Sequence, residues 1–445
     1  MAGESDTPDA LATYRQFFSL ERDVLVLSLA MFAFSLGFQM TNRYIPEYMA
    51  ALGASAFVIG LFGTVGNIIS AIYPYPGGAL SDRIGSRVAL TAFGLISSLG
   101  FLFWLVAPSL GTIAVGGLVL EPWIWIFVGL FLAQAWKSFG LGATFAIVKQ
   151  SVPPSQLARG FASTEVFRRS AFLVGPLIAA GVLYVYADFT VGFQYVLAIA
   201  LVFGVVATAA QHLLYDAEED SFGKEFEGVV RIRNDLRELP PELRPLLVGD
   251  TLVRFANGMV YVFFVIVITQ FLEVGLSVGS IDLSPAVFFG VLLAIEMVIA
   301  LVSMPPAARF AERVGLKPIV ALGFSVYAIF PILLISAPDN ALVVALLFAF
   351  SGLRFAGLPA HKALIVGPAE RDTGGRVSGA YYLVRNLIVI PSAALGGALY
   401  GGFSVPGTDL ALAGSPTLAF ALASLIGIVG TAYFVVFGRE FEAYA

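Results

Sequence analysis

Lys137, Arg354 and Glu296 each stand inside a long apolar run, Glu296 within Leu293-Ala294-Ile295-Glu296-Met297. Placing an ionisable side chain at the centre of such a span costs about 2.5–3.5 kcal/mol, so each one asks for a partner or a task. Arginine can hold a carboxylate or phosphate through two parallel hydrogen bonds, and lysine acts as a point charge. Lys137 and Arg354 are therefore candidates for holding an anionic ligand. The alternative is that each is neutralised by a carboxylate or caps a broken helix. Glu296 is the most isolated carboxyl group, and a carboxyl that switches between neutral and charged forms is what proton coupling requires. The competing reading is permanent pairing with Lys137 or Arg354. Gln39, Arg43 and Glu47 recur at four-residue spacing and share one helix face, with Asn42 beside them. Pairing with Arg43 is the expected role of Glu47, while Gln39 and Arg43 join the ligand-binding candidates. Gln134 lies three residues before Lys137 and shares its face. Asp250, Arg254 and Asn257 make a similar stripe, read as a gate or an ion pair near a helix end.

Other chemistries find no support. There is no cysteine and only two histidines, His212 and His361, with no His-x-x-x-His spacing. No Gly-x-x-x-x-Gly-Lys-Ser/Thr motif occurs, so a nucleotide-driven pump has no phosphate loop. An embedded enzyme would need a nucleophile–base pair or a metal set, and none can be named. No cofactor is expected.

These residues must be positioned by helices. Of 445 residues, 58% are hydrophobic and 12% charged, where a water-soluble domain carries about 25% charged residues. The apolar residues fall in blocks of about twenty, enough to cross a hydrocarbon core as helix. Runs such as Val24–Leu36 and Ala341–Phe350 lack the alternation of a barrel strand, and backbone groups in lipid are satisfied only in helices or closed barrels. The pattern predicts an all-α integral membrane protein with twelve spans. They fall near 24–49, 56–79, 88–107, 122–148, 162–186, 191–214, 247–273, 285–308, 318–336, 341–366, 377–402 and 416–437. The connections near 50–56, 108–121, 187–190, 274–284, 337–340 and 403–415 contain no Lys or Arg, whereas the opposite ones are rich in both. By the positive-inside rule, both termini and the polar 215–246 segment lie in the cytoplasm. The organisation expected is a tail at 1–23, a six-helix bundle at 24–214, a linker at 215–246, a second bundle at 247–437 and a tail at 438–445.

The halves repeat. Lys137-Ser138-Phe139-Gly140-Leu141-Gly142-Ala143 matches Arg354-Phe355-Ala356-Gly357-Leu358-Pro359-Ala360 as cation-x-x-Gly-Leu-x-Ala. Arg169 followed by Gly181-Val182-Leu183-Tyr184 matches Arg385 followed by Gly397-Ala398-Leu399-Tyr400 at the same spacing. Such symmetry is typical of alternating-access carriers. Between the second and third spans lies Gly78-Ala79-Leu80-Ser81-Asp82-Arg83-Ile84-Gly85-Ser86-Arg87. It resembles the signature loop of the major facilitator superfamily. A degenerate copy, Phe310-Ala311-Glu312-Arg313-Val314-Gly315-Leu316-Lys317, follows the eighth span, with Glu312 in place of the Asp and Ala308 in place of the first Gly.

The resemblance implies two pseudo-symmetric six-helix bundles whose first, fourth, seventh and tenth helices line a central cavity, so that Lys137 and Arg354 face one another across it. It also implies a cytoplasmic latch in which Asp82 engages the start of the eleventh helix near Arg376 or Arg385, and Glu312 faces Arg159 or Arg169. Gly175-Pro176-Leu177-Ile178-Ala179-Ala180-Gly181 resembles an antiporter element, but Ala179 and Ala180 stand where its paired glycines belong. The activity implied is secondary active transport of a small solute across the cell membrane, with protons as the candidate coupling ion. The expected partners are that solute, protons and lipid, not nucleic acid, and the fold usually works as a monomer. Two substrate classes remain: organic anions, held by Lys137 and Arg354, or amphipathic compounds exported against protons. Carboxylate partners on those cations would favour the second.

Overall fold

The computed structural model describes residues 22–73, 84–115, 118–136, 157–214, 240–366, 374–404 and 411–440. Among them, helices α1 (Arg22–Thr41), α2 (Ile45–Ala51), α3 (Ala56–Ile72), α4 (Ser86–Leu110), α5 (Ile124–Gln134), α6 (Leu157–Val185) and α7 (Phe189–Leu214) precede residue 215. After residue 240 come α8 (Arg244–Val260), α9 (Pro285–Val314), α10 (Leu316–Ile335), α11 (Ala341–Gly352), α12 (Leu358–Val366), α13 (Gly374–Val389), α14 (Ser392–Gly401) and α15 (Pro416–Phe437). The helix starts follow local chemistry. Asn340 accepts from the backbone N–H groups of Leu342 and Val343, Ser415 accepts from Leu418, and prolines at 285 and 416 occupy first-turn positions that need no donor.

Among the described residues, eight helical stretches are long and apolar enough to cross a bilayer. Four shorter apolar stretches accompany them: Ser28–Thr41, Ala56–Ile72, Ile124–Gln134 and Ser170–Val185. The outward faces of these helices are apolar; Leu213 is 75% exposed and Val302 67%. Faces this apolar suit hydrocarbon rather than water. Trp104, Tyr44, Tyr48 and Tyr381 fill the interior, and the Trp104 indole N–H donates to Ile126 O at 2.8 Å.

Four of the expected continuous spans are broken. The first divides at Asn42–Tyr44, just before Pro46. The one beginning at α8 passes into a 3-10 turn (Tyr261–Phe263) and a π segment (Val267–Phe271). The next break is the 3-10 turn Leu353–Phe355, between α11 and α12, and the last falls at Ile390 and Pro391, just before α14. Irregular backbone at membrane depth is tolerated only where protein or a cavity covers it. These breaks build the site. The structure also adds three short antiparallel hairpins, Ile113–Val115 with Leu118–Leu120, Leu276–Val278 with Ile281–Leu283, and Gly402–Ser404 with Ala411–Ala413. All three fall in connections that lack Lys and Arg.

Helix α9 runs past the expected boundary to Val314, so Arg309 and Arg313 belong to its last turns. Gly85 and Gly315 then open α4 and α10 with φ of 85° and 91°. A side chain is strained at such angles, which accounts for glycine at both copies of the motif. Leu316 and Lys317 donate their backbone N–H groups to Glu440 at 3.0 and 2.8 Å, placing a carboxylate at the start of α10.

Candidate functional site

Three helix breaks converge on one carboxylate. Glu296 sits midway along α9 with its side chain buried. Its Oε1 accepts from Ser351 Oγ at 2.5 Å and from Arg354 Nη2 at 2.9 Å. Its Oε2 lies 4.0 Å from Arg43 Nη2. Arg43 comes from the Asn42–Tyr44 break and Arg354 from the Leu353–Phe355 turn. Tyr261 opens the turn that ends α8, and its ring lies under the Arg43 guanidinium at 4.2 Å. Arg354 stands 4.8 Å from the Phe355 ring and 5.1 Å from that of Tyr327. Cation–π contacts of this kind hold a guanidinium without neutralising its charge.

Close helix approach makes the contact possible. A β-carbon on Gly352 would stand 2.5 Å from the Glu296 carbonyl oxygen and 2.8 Å from Ile299 Cβ. We expect Gly352→Val to push α11 off α9 and lower stability by about 1–3 kcal/mol, read as a fall in the thermal unfolding midpoint. An unchanged midpoint would refute this packing.

Arg43, Glu296 and Arg354 line a cavity of about 520 Å³ with Gln39, Asn42, Asn67 and Gln134 among its polar walls. Phe38, Phe62, Trp136 and Phe355 supply aromatic surface. Arg43, Arg354 and Glu296 are the charged side chains among the described residues on this wall, leaving one positive charge in excess. Arg43 Nη2, Arg354 Nε and Gln134 Oε1 are buried and have no hydrogen-bond partner among the described residues. The two arginine donors favour whatever acceptor the cavity admits, while the Gln134 amide oxygen is open to a donor.

The cavity extends from the level of Arg43 towards Ser70, Met304 and Leu358. At its other end the walls are in contact. Tyr44 Oη donates to Ala286 O at 3.0 Å, and the Ala394 N–H donates to Thr64 Oγ1 at 2.9 Å. Glu47 Oε2 accepts from Thr269 Oγ1 at 2.6 Å and Gln270 Nε2 at 3.0 Å. The expected Arg43–Glu47 pair is therefore corrected. The break at 42–44 takes the two residues off a common helix face, and each finds its partner beyond residue 260.

Of the other sequence candidates, Lys137, Gly78, Asp82 and Arg83 lie outside the described residues, and nothing is described of the side chains of Glu312, Arg159, Arg169 and Arg376. Arg87 Nε donates to His212 O at 2.8 Å, and Arg313 is exposed. Arg385 reaches a cluster that the residue pattern revealed only in part. Asp250 is fully buried on α8; Arg254 Nε lies 3.3 Å from Oδ1, and Arg385 Nη1 3.1 Å from Oδ2. Tyr381 Oη donates to Oδ2 at 3.1 Å, with His361 Nε2 3.3 Å away. The i, i+4 spacing of Asp250 and Arg254 signalled one pair. Nothing in the sequence brought His361 and Tyr381 to it.

Residues 27–280, more than half of the chain, match the family described as Major Facilitator Superfamily. An uncharacterized MFS-type transporter of Mycobacterium tuberculosis strain H37Rv is 30% identical over 213 residues, 48% of this chain and 46% of that protein. The match thus spans about half the length of that relative. The multidrug resistance protein MdtG of Escherichia fergusonii is 22% identical over 391 residues, 86% of this chain and 89% of that protein. Among solved structures, the nucleoside transporter NupG superposes with a TM-score of 0.71 at 11% identity, covering 94% of this chain and all of that one. A POT family transporter in complex with 5-aminolevulinic acid gives 0.69 at 14% identity, covering 95% and 97%. At these identities the structures speak for the fold.

Proposed function

The chain belongs to the Major Facilitator Superfamily, and on that footing we propose that it is a secondary active transporter that carries an amphipathic organic anion by alternating access, with Glu296 as the proton-coupling group. The observation that carries this reading is the Arg43–Glu296–Arg354 arrangement, two guanidinium groups sharing one carboxylate on the cavity wall. Excess positive charge in a low-dielectric cavity is unfavourable until an anion offsets it. Protonation of Glu296 would raise the excess and release an Arg354 donor, so proton and anion would each strengthen the binding of the other. Aromatic walls suit an apolar body attached to the anionic head.

A second reading rests on the same carboxylate. Arg354 does have a partner, and a relative similar over most of the chain is a multidrug resistance protein. Glu296 would then attract cationic amphipathic compounds for export. Glu296→Gln separates the two. On the anion reading, 1-naphthalenesulfonate should bind purified Glu296→Gln roughly tenfold tighter than wild type, because a repelling charge is gone. Proton-driven uptake into proteoliposomes should at the same time be lost. Loss of tetraphenylphosphonium binding with no gain for the sulfonate would sink the anion reading in favour of efflux.

The remaining architecture belongs to the same proposal. The eight long and four shorter apolar stretches are read as twelve spans in two bundles, 24–214 and 247–437, joined by a cytoplasmic linker. The recurrence of neighbours supports this. α1 packs on α6 and α7, and α4 on α5 and α7; correspondingly, α8 packs on α13, α14 and α15, and α10 on α11, α12 and α15. Contacts between the two groups are likewise paired, α3 with α14 and α6 with α9. The Arg87 and Arg313 end is assigned to the cytoplasm, as are both termini. The cavity therefore runs inward, while Glu47, Thr269 and Gln270 close the outer end. The chain acts as a monomer in the cell membrane, and Asp82, Arg83 and Glu312 form the inner latch.

A further inference from the structure

A second basic hollow adjoins the central cavity. It has a volume of about 210 Å³ and is lined by Arg254, Arg385, Asn67, Asn257 and Asn386, and it shares Gly63, Asn67, Tyr261 and Val262 with the central cavity. Its charge balance repeats that of the first site, because Arg254 and Arg385 share Asp250. Asp250 also accepts from Tyr381 Oη, has His361 Nε2 3.3 Å away, and is not among the residues that line the hollow. Asn386 Oδ1 accepts from Arg385 Nε at 3.2 Å and Nη2 at 2.9 Å, which orients the guanidinium without neutralising it. Tyr327 joins the two triads, since its hydroxyl accepts from Arg254 Nη1 at 2.9 Å and its ring faces Arg354 at 5.1 Å.

We propose that this hollow is a second anion-binding subsite, which holds a small carboxylate between Arg254 and Arg385 with the asparagine amides completing its hydrogen bonds. Guanidinium pairs with amide neighbours match the acceptor geometry of a carboxylate. The hollow sets its two arginines and three asparagines among Val262, Val389 and Ala393 and has less than half the volume of the central cavity, so it takes compact anions or the anionic head of a larger one in transit. The proposal builds on the anion reading of the central cavity but predicts a separate occupancy.

Equilibrium dialysis of labelled benzoate against the purified full chain should give two saturable sites per chain. Asn386→Asp sets a second carboxylate against Arg385 while leaving every buried partner of Asp250 in place. It should weaken one site by at least about tenfold and leave the other within about twofold. Arg385→Gln should act in the same way, and if that variant fails to fold, Asn386→Asp alone decides. Arg43→Gln should remove the complementary site. A single wild-type site, or two sites indifferent to Asn386→Asp, would overturn the second subsite while leaving the central reading standing. Two sites, one lost in Asn386→Asp and neither sensitive to Arg43→Gln, would keep the subsite and remove the central reading. No saturable binding in any of these proteins would overturn both.

Discussion

Asp250→Ala is expected to destabilise the protein by about 3–5 kcal/mol, the range observed when one partner is removed from a buried ion network. The carboxylate is fully buried and has Arg254, Arg385, Tyr381 and His361 around it. Its removal leaves Arg254 with Tyr327 Oη and Arg385 with Asn386 Oδ1, and no carboxylate to offset either charge. Both arginines keep part of their surface on the 210 Å³ hollow, at 23% and 16% exposure, so water recovers some of the loss. Asp250→Asn retains an acceptor oxygen for Tyr381 and one arginine and should lose less, about 1–3 kcal/mol. Thermal unfolding of the two variants in detergent checks both values. The cluster ties α8, α12 and α13 together, so the alanine variant should also show faster amide exchange in α12 and α13 than in α15. If Asp250→Ala melts with the wild type, the cluster does not hold these helices, and its arginines are already hydrated.

The helices themselves were legible because lipid leaves the backbone few options. Residue type and length placed the eight helices long enough to cross a bilayer, and three of the Lys/Arg-free connections hold the hairpins. The breaks were not legible. Arg43 and Glu47 at four-residue spacing promise a helical pair, and only the turn before Pro46 sends them to different partners. Arg354 looked like a mid-helix cation awaiting a ligand or a carboxylate, and the sequence left both open. The choice depended on Gly352, whose missing side chain brings α11 against the Glu296 backbone. Glu296 was identifiable as isolated in an apolar run, since an unpaired charge there is costly. Its second neighbour, Arg43, lies more than 250 residues away in sequence and belongs to a helix that reads as continuous. Asp250 shows the same limit: Arg254 is a local signal, whereas His361, Tyr381 and Arg385 reach it only through the packing of three helices.

The charge balance of the central triad leads to the other large effect. Arg354→Met should remove both functions of that guanidinium at once. Glu296 would keep Ser351 at 2.5 Å and Arg43 at 4.0 Å, too little to offset a buried carboxylate, so stability should fall by about 3–5 kcal/mol. Transport should fall by at least about 100-fold, because two charge-assisted contacts to an anionic substrate are each worth about 1.5–3 kcal/mol. The double variant Arg354→Met with Glu296→Met separates the two losses. Well-packed apolar replacements of a buried pair are often neutral, so more than half of the stability should return. Arg43 would still rest on the Tyr261 ring, 4.2 Å away, and keep the cavity positive. Transport should nevertheless stay near zero, because the proton-accepting group and one of the two substrate-holding cations are both absent. Uptake assays on Arg354→Met, Glu296→Met and the double variant, each with its melting midpoint, give the complete cycle. A double variant that carries substrate at the wild-type rate would make Arg354 and Glu296 a structural clamp and move the binding function to Arg43 and the amides of Gln39 and Gln134.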